Sequence, residues 1–241
     1  MSSHGPALGA HSVKTIGLIG GMSWESSAEY YRLVNRAIRD RLGGQHSAKS
    51  VMVSVDFHEI ERLQHAGDWQ RLGTMMADAA QVLERAGVDF AVLCTNTMHK
   101  LWDAMTGATS IPFIHLADAT AERIVAAGMK RVGLLGTRFT MEQDFYRGRL
   151  ESHGLDVLVP EKDDRDTVHR VIYDELCQGT ICDASRDAYV AIIDRLRARG
   201  AEAVILGCTE ITLLIGPEHS PIRTFDTTRI HAEVAVQRAL A

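Results

Sequence analysis

Residues 83–95 read Leu83-Glu84-Arg85-Ala86-Gly87-Val88-Asp89-Phe90-Ala91-Val92-Leu93-Cys94-Thr95, and the same sentence returns as Leu196 to Gly200, an apolar run and Cys208-Thr209. Each copy is a helix end, a glycine that stops it, an apolar strand and a small polar strand end. Working outward, short β-branched runs alternate with helix-length amphipathic segments from Lys14 onward, the pattern of a parallel sheet wrapped by helices. The fold class is therefore α/β. Strands are expected over 15–19, 51–56, 90–94 and 112–116, then over 131–135, 156–159, 203–206 and 222–225. Helices are expected over 69–86, where Leu72, Met75, Met76, Ala79, Ala80 and Leu83 recur at three- and four-residue steps, over 117–127, and over 187–199.

The repeat has a second member. Gly17-Leu18-Ile19-Gly20 reappears as Gly133-Leu134-Leu135-Gly136, an offset of 116. Four strands then four more, with no Pro, Ser or Gly linker between them, predict two pseudo-symmetric, closely docked lobes. Each carries a four-stranded, mostly parallel sheet flanked by helices, and the site lies in the cleft between them. The chain crosses twice, so residues 13–117 with 228–241 form one lobe and 118–227 the other. Residues 1–12 are small, polar and glycine-rich and are expected to be a disordered lead.

Of 241 residues, 26 are Lys or Arg and 31 Asp or Glu, a net charge of −5, which argues against nucleic acid or anionic lipid as a partner. A chain 46% hydrophobic and 24% charged has a core, and a small molecule is the expected partner. No apolar run approaches the roughly 18 residues that span a bilayer, and the start lacks a signal-peptide pattern, so a cytoplasmic protein is expected. Cys94, Cys177, Cys182 and Cys208 are too few and too scattered for a disulfide scaffold and are expected to be reduced.

Three segments can carry chemistry. Gly17-Leu18-Ile19-Gly20-Gly21-Met22-Ser23 is a strand entering a glycine turn and a helix, where backbone N–H groups hold a carboxylate or phosphate. A purely structural turn is the alternative. Its spacing is not the G-x-G-x-x-G of dinucleotide sites, and Asp56 stands 36 residues after Gly20, too far for the usual ribose-binding acid. Cys94-Thr95-Asn96-Thr97 and Cys208-Thr209-Glu210 stand at the carboxyl ends of predicted parallel strands, where open α/β sheets bind ligands. A lone cysteine is usually buried filler; two at symmetric strand ends, each followed by Thr, are harder to dismiss. Among the histidines, His99, His115 and His231 lack metal-ligand spacing and read as capping or packing residues. Cys177 and Cys182 read as structural. Arg138, Arg147 and Arg149 read as a solvated face that could add positive potential.

The segments Gly-Leu-Ile-Gly-Gly-Met-Ser, Leu-Cys-Thr-Asn-Thr-Met-His and Ile-Leu-Gly-Cys-Thr-Glu-Ile resemble, in order, the signatures of the aspartate/glutamate racemase family, the amino-acid racemases that need no pyridoxal phosphate. The likeness runs over about residues 13–241. It is closest to the bacterial broad-specificity amino-acid racemases, through Met22-Ser23-Trp24-Glu25-Ser26, Val55-Asp56-Phe57-His58-Glu59-Ile60 and Met141-Glu142-Gln143-Asp144-Phe145-Tyr146. The resemblance implies an isomerase that removes the Cα proton of an amino acid from one face and returns one on the other. It implies no cofactor; the missing ligand spacing among Cys and His predicts no metal, and a homodimer is left open. Cysteine suits the work, since its ordinary pKa near 8.5 allows both thiolate formation and proton return. Donors for the substrate carboxylate fall by motif on Gly21, Met22, Asn96, Thr97, Thr137 and Thr209. Gln64 is a candidate for the substrate side chain, and Glu210 for the ammonium or for orienting Thr209.

One departure matters. The family's first signature is commonly Cys-Asn-Thr, and this chain reads Cys94-Thr95-Asn96-Thr97. Anchored on the asparagine, the catalytic position is Thr95. The internal repeat agrees, because Gly87 plus eight is Thr95 and Gly200 plus eight is Cys208. Successive strand residues face opposite ways, so at most one of Cys94 and Thr95 faces the cleft. Thr95 is preferred, with Cys94 as a core residue or a neighbour behind it. The catalytic candidates are thus Cys208, Thr95 and Cys94. Alternatives are a decarboxylase or isomerase of a small carboxylic acid on the same scaffold, and a carboxylate-binding regulatory domain without turnover.

Overall fold

The computed structural model describes residues 13–241, so the expected lead at 1–12 lies outside the described residues. The first sheet is built from β1 (Ile16–Gly20), α1 (Trp24–Leu42), β2 (Ser50–Ser54), α2 (Phe57–Ala66), α3 (Trp69–Arg85), β3 (Phe90–Leu93), α4 (Trp102–Thr106) and β4 (Phe113–Ile114). After α5 (Leu116–Ala126) come β5 (Arg131–Gly136), α6 (Arg138–Glu142), α7 (Asp144–Ser152), β6 (Asp156–Leu158), α8 (Lys162–Asp174), α9 (Asp183–Ala198), β7 (Ala203–Gly207), α10 (Ile211–Leu214), β8 (Arg223–Asp226) and α11 (Thr227–Leu240). The sheet orders are β2-β1-β3-β4 and β6-β5-β7-β8, the same topology twice, and every pairing is parallel.

The sequence repeat is a packing device. A Cβ on Gly17 would stand 3.0 Å from Leu83 Cδ1, and one on Gly133 would stand 2.9 Å from Leu196 Cδ1. The two Gly-Leu-x-Gly strands and the two Leu-x-x-x-Gly helix ends are therefore mates: a bare strand position lets α3 and α9 close down on their sheets.

Strand alternation divides the core into three layers. Ile16, Leu18, Phe90, Val92 and Cys94 face a central cluster shared with Val132, Leu134, Ala203 and Ile205 of the second sheet, filled by Tyr30 and Val34 of α1, Ala121 of α5, Tyr146 of α7 and Ala235 of α11. Ile19, Ala91 and Leu93 face outward under α2 and α3; Leu135, Val204 and Leu206 face outward under α8 and α9. Full burial of such a side chain stabilises by about 1.5–3 kcal/mol, so the shared cluster holds the two sheets together.

Element ends differ from expectation where a side chain takes a cap. β2 ends at Ser54 because Asp56 caps α2, accepting the His58 N–H at 3.0 Å. β4 ends at Ile114 because His115 caps α5, accepting the Ala117 N–H at 3.1 Å. His231 ties the central layer, its Nε2–H donating to the Ile114 carbonyl and its Nδ1 accepting the Tyr30 hydroxyl, both at 2.9 Å. No helix among the described residues is long and apolar enough to cross a membrane.

Candidate active site

Strand ends β1 and β3 of the first sheet and β5 and β7 of the second converge on one small cavity. Met22, Thr95, Asn96, Thr97 and Thr137 line it with Cys208, Thr209 and Glu210, and Gln64 closes it from α2. Cys94 does not line it. Phe90 and Val92 point into the central layer, and Cys94 continues that face with 0% exposure, its thiol pushed up by burial. Thr95 continues the face of Ala91 and Leu93 and reaches the cavity, as Cys208 continues that of Val204 and Leu206. The repeat thus sets Thr95 and Cys208 at equivalent ends of β3 and β7.

Thr95 is held from behind. A 3₁₀ turn over Thr97–Leu101 brings His99 back, and its Nδ1 stands 2.7 Å from the Thr95 carbonyl while its Nε2 accepts the Leu116 N–H at 3.2 Å. The second contact leaves Nε2 unprotonated, so Nδ1–H donates to Thr95. Burial, with His115 and His231 beside it, pushes His99 well below the ordinary range and keeps it neutral. It is a brace; among the described residues no group of three or more His, Cys, Asp and Glu could hold a metal.

Polar contacts run between the two sheets across the cavity. Ser23 Oγ donates to Glu210 Oε1 at 2.8 Å, and Cys208 Sγ donates to Glu210 Oε2 at 2.9 Å. Ser26 Oγ donates to the Cys94 carbonyl at 3.0 Å and lies 2.9 Å from Thr209 Oγ1. The Thr97 and Thr137 hydroxyls are 3.0 Å apart. Asn96 Nδ2 donates to Thr227 Oγ1 at 3.3 Å, whereas Asn96 Oδ1 is buried without a partner among the described residues. Such an acceptor costs about 1–3 kcal/mol while unmet, so it favours a donor such as an ammonium. Gln64 Nε2 approaches Met98 Sδ at 3.1 Å, and its Oε1 accepts the Tyr173 hydroxyl at 3.5 Å.

Among the described residues no Lys or Arg lines the cavity, and Glu210 is its one carboxylate. Burial, then the Glu210 charge, pushes the Cys208 thiol well above its ordinary value and favours the thiol form. A ligand cation entering beside it would favour thiolate. Neutral hydroxyls and an amide remain to hold a carboxylate.

Two sequence candidates stand apart from the cavity. Cys94 is in the core, and Gly21 lies behind the wall with its N–H already donating to Ser27 Oγ at 2.7 Å. Gly21 instead serves the turn: with φ +91° its missing Cβ would stand 2.1 Å from the Val55 carbonyl oxygen. Phe57, Ile172, Tyr173 and Cys177 also line the cavity, so Cys177 is a wall residue where the sequence predicts a structural one. They sit on α2, α8 and the turn beyond α8, elements that no strand-end motif points to. Ser23 caps α1, accepting the Ser26 N–H, and a serine just before a helix is the sequence signal for that position. Arg138, Arg147 and Arg149 pair with Asp166, Asp144 and Asp118 instead of entering the cavity.

The sequence model of the Asp/Glu/hydantoin racemase family matches residues 19–235. A Yersinia pestis protein solved as a candidate Asp/Glu racemase is 52% identical, covering 95% of this chain and 100% of its own with a TM-score of 0.89. An aspartate racemase homologue from Pyrococcus horikoshii is 32% identical, covering 94% and 99% with a TM-score of 0.82. The broad-specificity amino-acid racemase RacX of Bacillus subtilis is 25% identical over 174 residues, 72% of this chain and 75% of its own.

Proposed function

The chain belongs to the Asp/Glu/hydantoin racemase family, and from that premise we propose that it racemises amino acids at Cα with Cys208 and Thr95 on opposite faces of the substrate. The observation that carries this is the pairing of those two side chains at equivalent strand ends on one cavity. Cys208, as thiolate, takes the Cα proton of the L-amino acid, and the Thr95 hydroxyl, through water, supplies one to the other face. Thr97, Thr137 and Thr209 hold the substrate carboxylate as charge moves onto it. The unpartnered Asn96 Oδ1 takes the ammonium, whose charge favours the thiolate. Gln64 and Met22 bound the side chain. Aspartate, glutamate and the wider range in the name of the Bacillus subtilis relative are the substrates to try first.

Enantiomers have equal free energy, so kcat/KM for the two directions stays near a ratio of one while rates and affinities differ. The lobes, divided as 13–117 with 228–241 and 118–227, close over the substrate and exclude water, which strengthens these contacts. Chiral chromatography of L-aspartate, L-glutamate and L-alanine incubated with the purified protein tests the proposal. Conversion to the D form that is absent in Cys208→Ala supports it; no conversion of any amino acid rejects it.

A further inference from the structure

Glu210 is reached from two sides. Inside, its carboxylate accepts from Cys208 and Ser23. Outside, an open groove of about 980 Å³ empty volume, lined by Trp24, Ala28, Arg32 and Leu213, ends on the same Glu210 and on Thr209. Trp24, at 69% exposed, and Leu213, at 51%, leave that groove open to water. The Ser26–Thr209 contact at 2.9 Å is part of the wall between groove and cavity.

An asymmetric pair of faces makes such a position useful. A threonine hydroxyl is no base at neutral pH, so the Thr95 face cannot take up the proton that Cys208 gains. After each L-to-D turnover Cys208 is left as thiol, and it must lose that proton before it can act again. We propose that Glu210 carries the proton from the Cys208 thiol to water in the outer groove. This rests on the racemase reading above. Each transfer balances: the Cα–H bond breaks as S–H forms, S–H breaks as O–H forms on Glu210, and groove water takes that proton. An equal proton enters from solvent at the Thr95 face, and no electrons change hands. Glu210 acts through Cys208 and not on the substrate.

The test is chemical rescue in the full-length chain, with an amino acid that the wild type racemises. Glu210→Ala should lower kcat roughly 100-fold or more, in line with loss of a proton-transfer group. Acetate, entering by the groove into the space left by the side chain, should restore at least tenfold, saturably, and better than formate at equal concentration because it is the stronger base. Adding Ala28→Phe, which narrows the groove without touching the cavity, should cut that rescue at least fivefold. If Glu210→Ala does not fold, Glu210→Gln keeps the shape, and it should lower kcat about as much with KM near the wild-type value. Absent rescue, rescue equal for both acids, rescue that ignores Ala28→Phe, or a Glu210→Gln enzyme with wild-type kcat each overturns the conduit alone. A wild type that racemises no amino acid overturns the racemase reading and the conduit together.

Discussion

Cys94→Ala and Thr95→Ala, made singly, should separate a core residue from a working one one position away. Cys94 has 0% exposure and packs among Ile16, Leu18 and Val92, so removing its sulfur leaves a small void. Such a truncation costs on the order of 1 kcal/mol, which for a chain of this size lowers Tm by about 2–4 °C. Its carbonyl still accepts the Ser26 hydroxyl, since that contact is to the backbone. Racemisation by Cys94→Ala should therefore stay within about twofold of wild type. Thr95→Ala removes the one side-chain group that β3 offers opposite Cys208, and positioned proton donors contribute about 100- to 10,000-fold. That is roughly 3 to 5 kcal/mol of barrier, with little change in Tm because the His99 brace holds the Thr95 carbonyl and not its side chain. Initial rates by chiral chromatography, with a melting curve for each variant, read both effects. If Cys94→Ala is as dead as Cys208→Ala while Thr95→Ala still turns over, the strand-parity reasoning fails and Cys94 is the working group.

Acid should unfold the protein earlier than its carboxylates alone would. Burial and Arg149 push His115 down to about 3, and burial pushes His231 down to about 4, below the ordinary value near 6.5. Between those values the unfolded chain binds protons that the folded state refuses, so stability is lost as pH falls, by about 3 kcal/mol for His231 between pH 6.5 and 4. Urea midpoints across that range should fall steeply in wild type and less so in His231→Gln; a flat profile would contradict the neutral cluster. Gly21→Ala should lose about 3 kcal/mol or more, because its Cβ meets the Val55 carbonyl at 2.1 Å in a left-handed conformation. A melting curve within 2 °C of wild type would refute that.

Much of this was legible in the chain because it is written twice. The Gly-Leu-x-Gly strands and Leu-x-x-x-Gly helix ends encode one close packing, Gly17 under Leu83 and Gly133 under Leu196, and the second copy supplied the ruler that singled out Thr95. Alternation along β3 sets Cys94 inward by the same rule. What the sequence left unread depends on distant elements meeting. Tyr173 and Ile172 reach the cavity only because α8 packs beside β5, and Glu210 finds Ser23 across 187 residues of chain. The spent N–H of Gly21 is visible only once α1 brings Ser27 over the turn.

The most direct measurement is Cα exchange in deuterated water, followed by proton NMR together with optical rotation. With L-aspartate, L-glutamate or L-alanine, wild-type protein should replace the Cα proton by deuterium while rotation decays to zero, and Cys208→Ala should do neither. Exchange that persists undiminished in Cys208→Ala, or a wild type that leaves every Cα proton in place, would contradict a racemase built on Cys208.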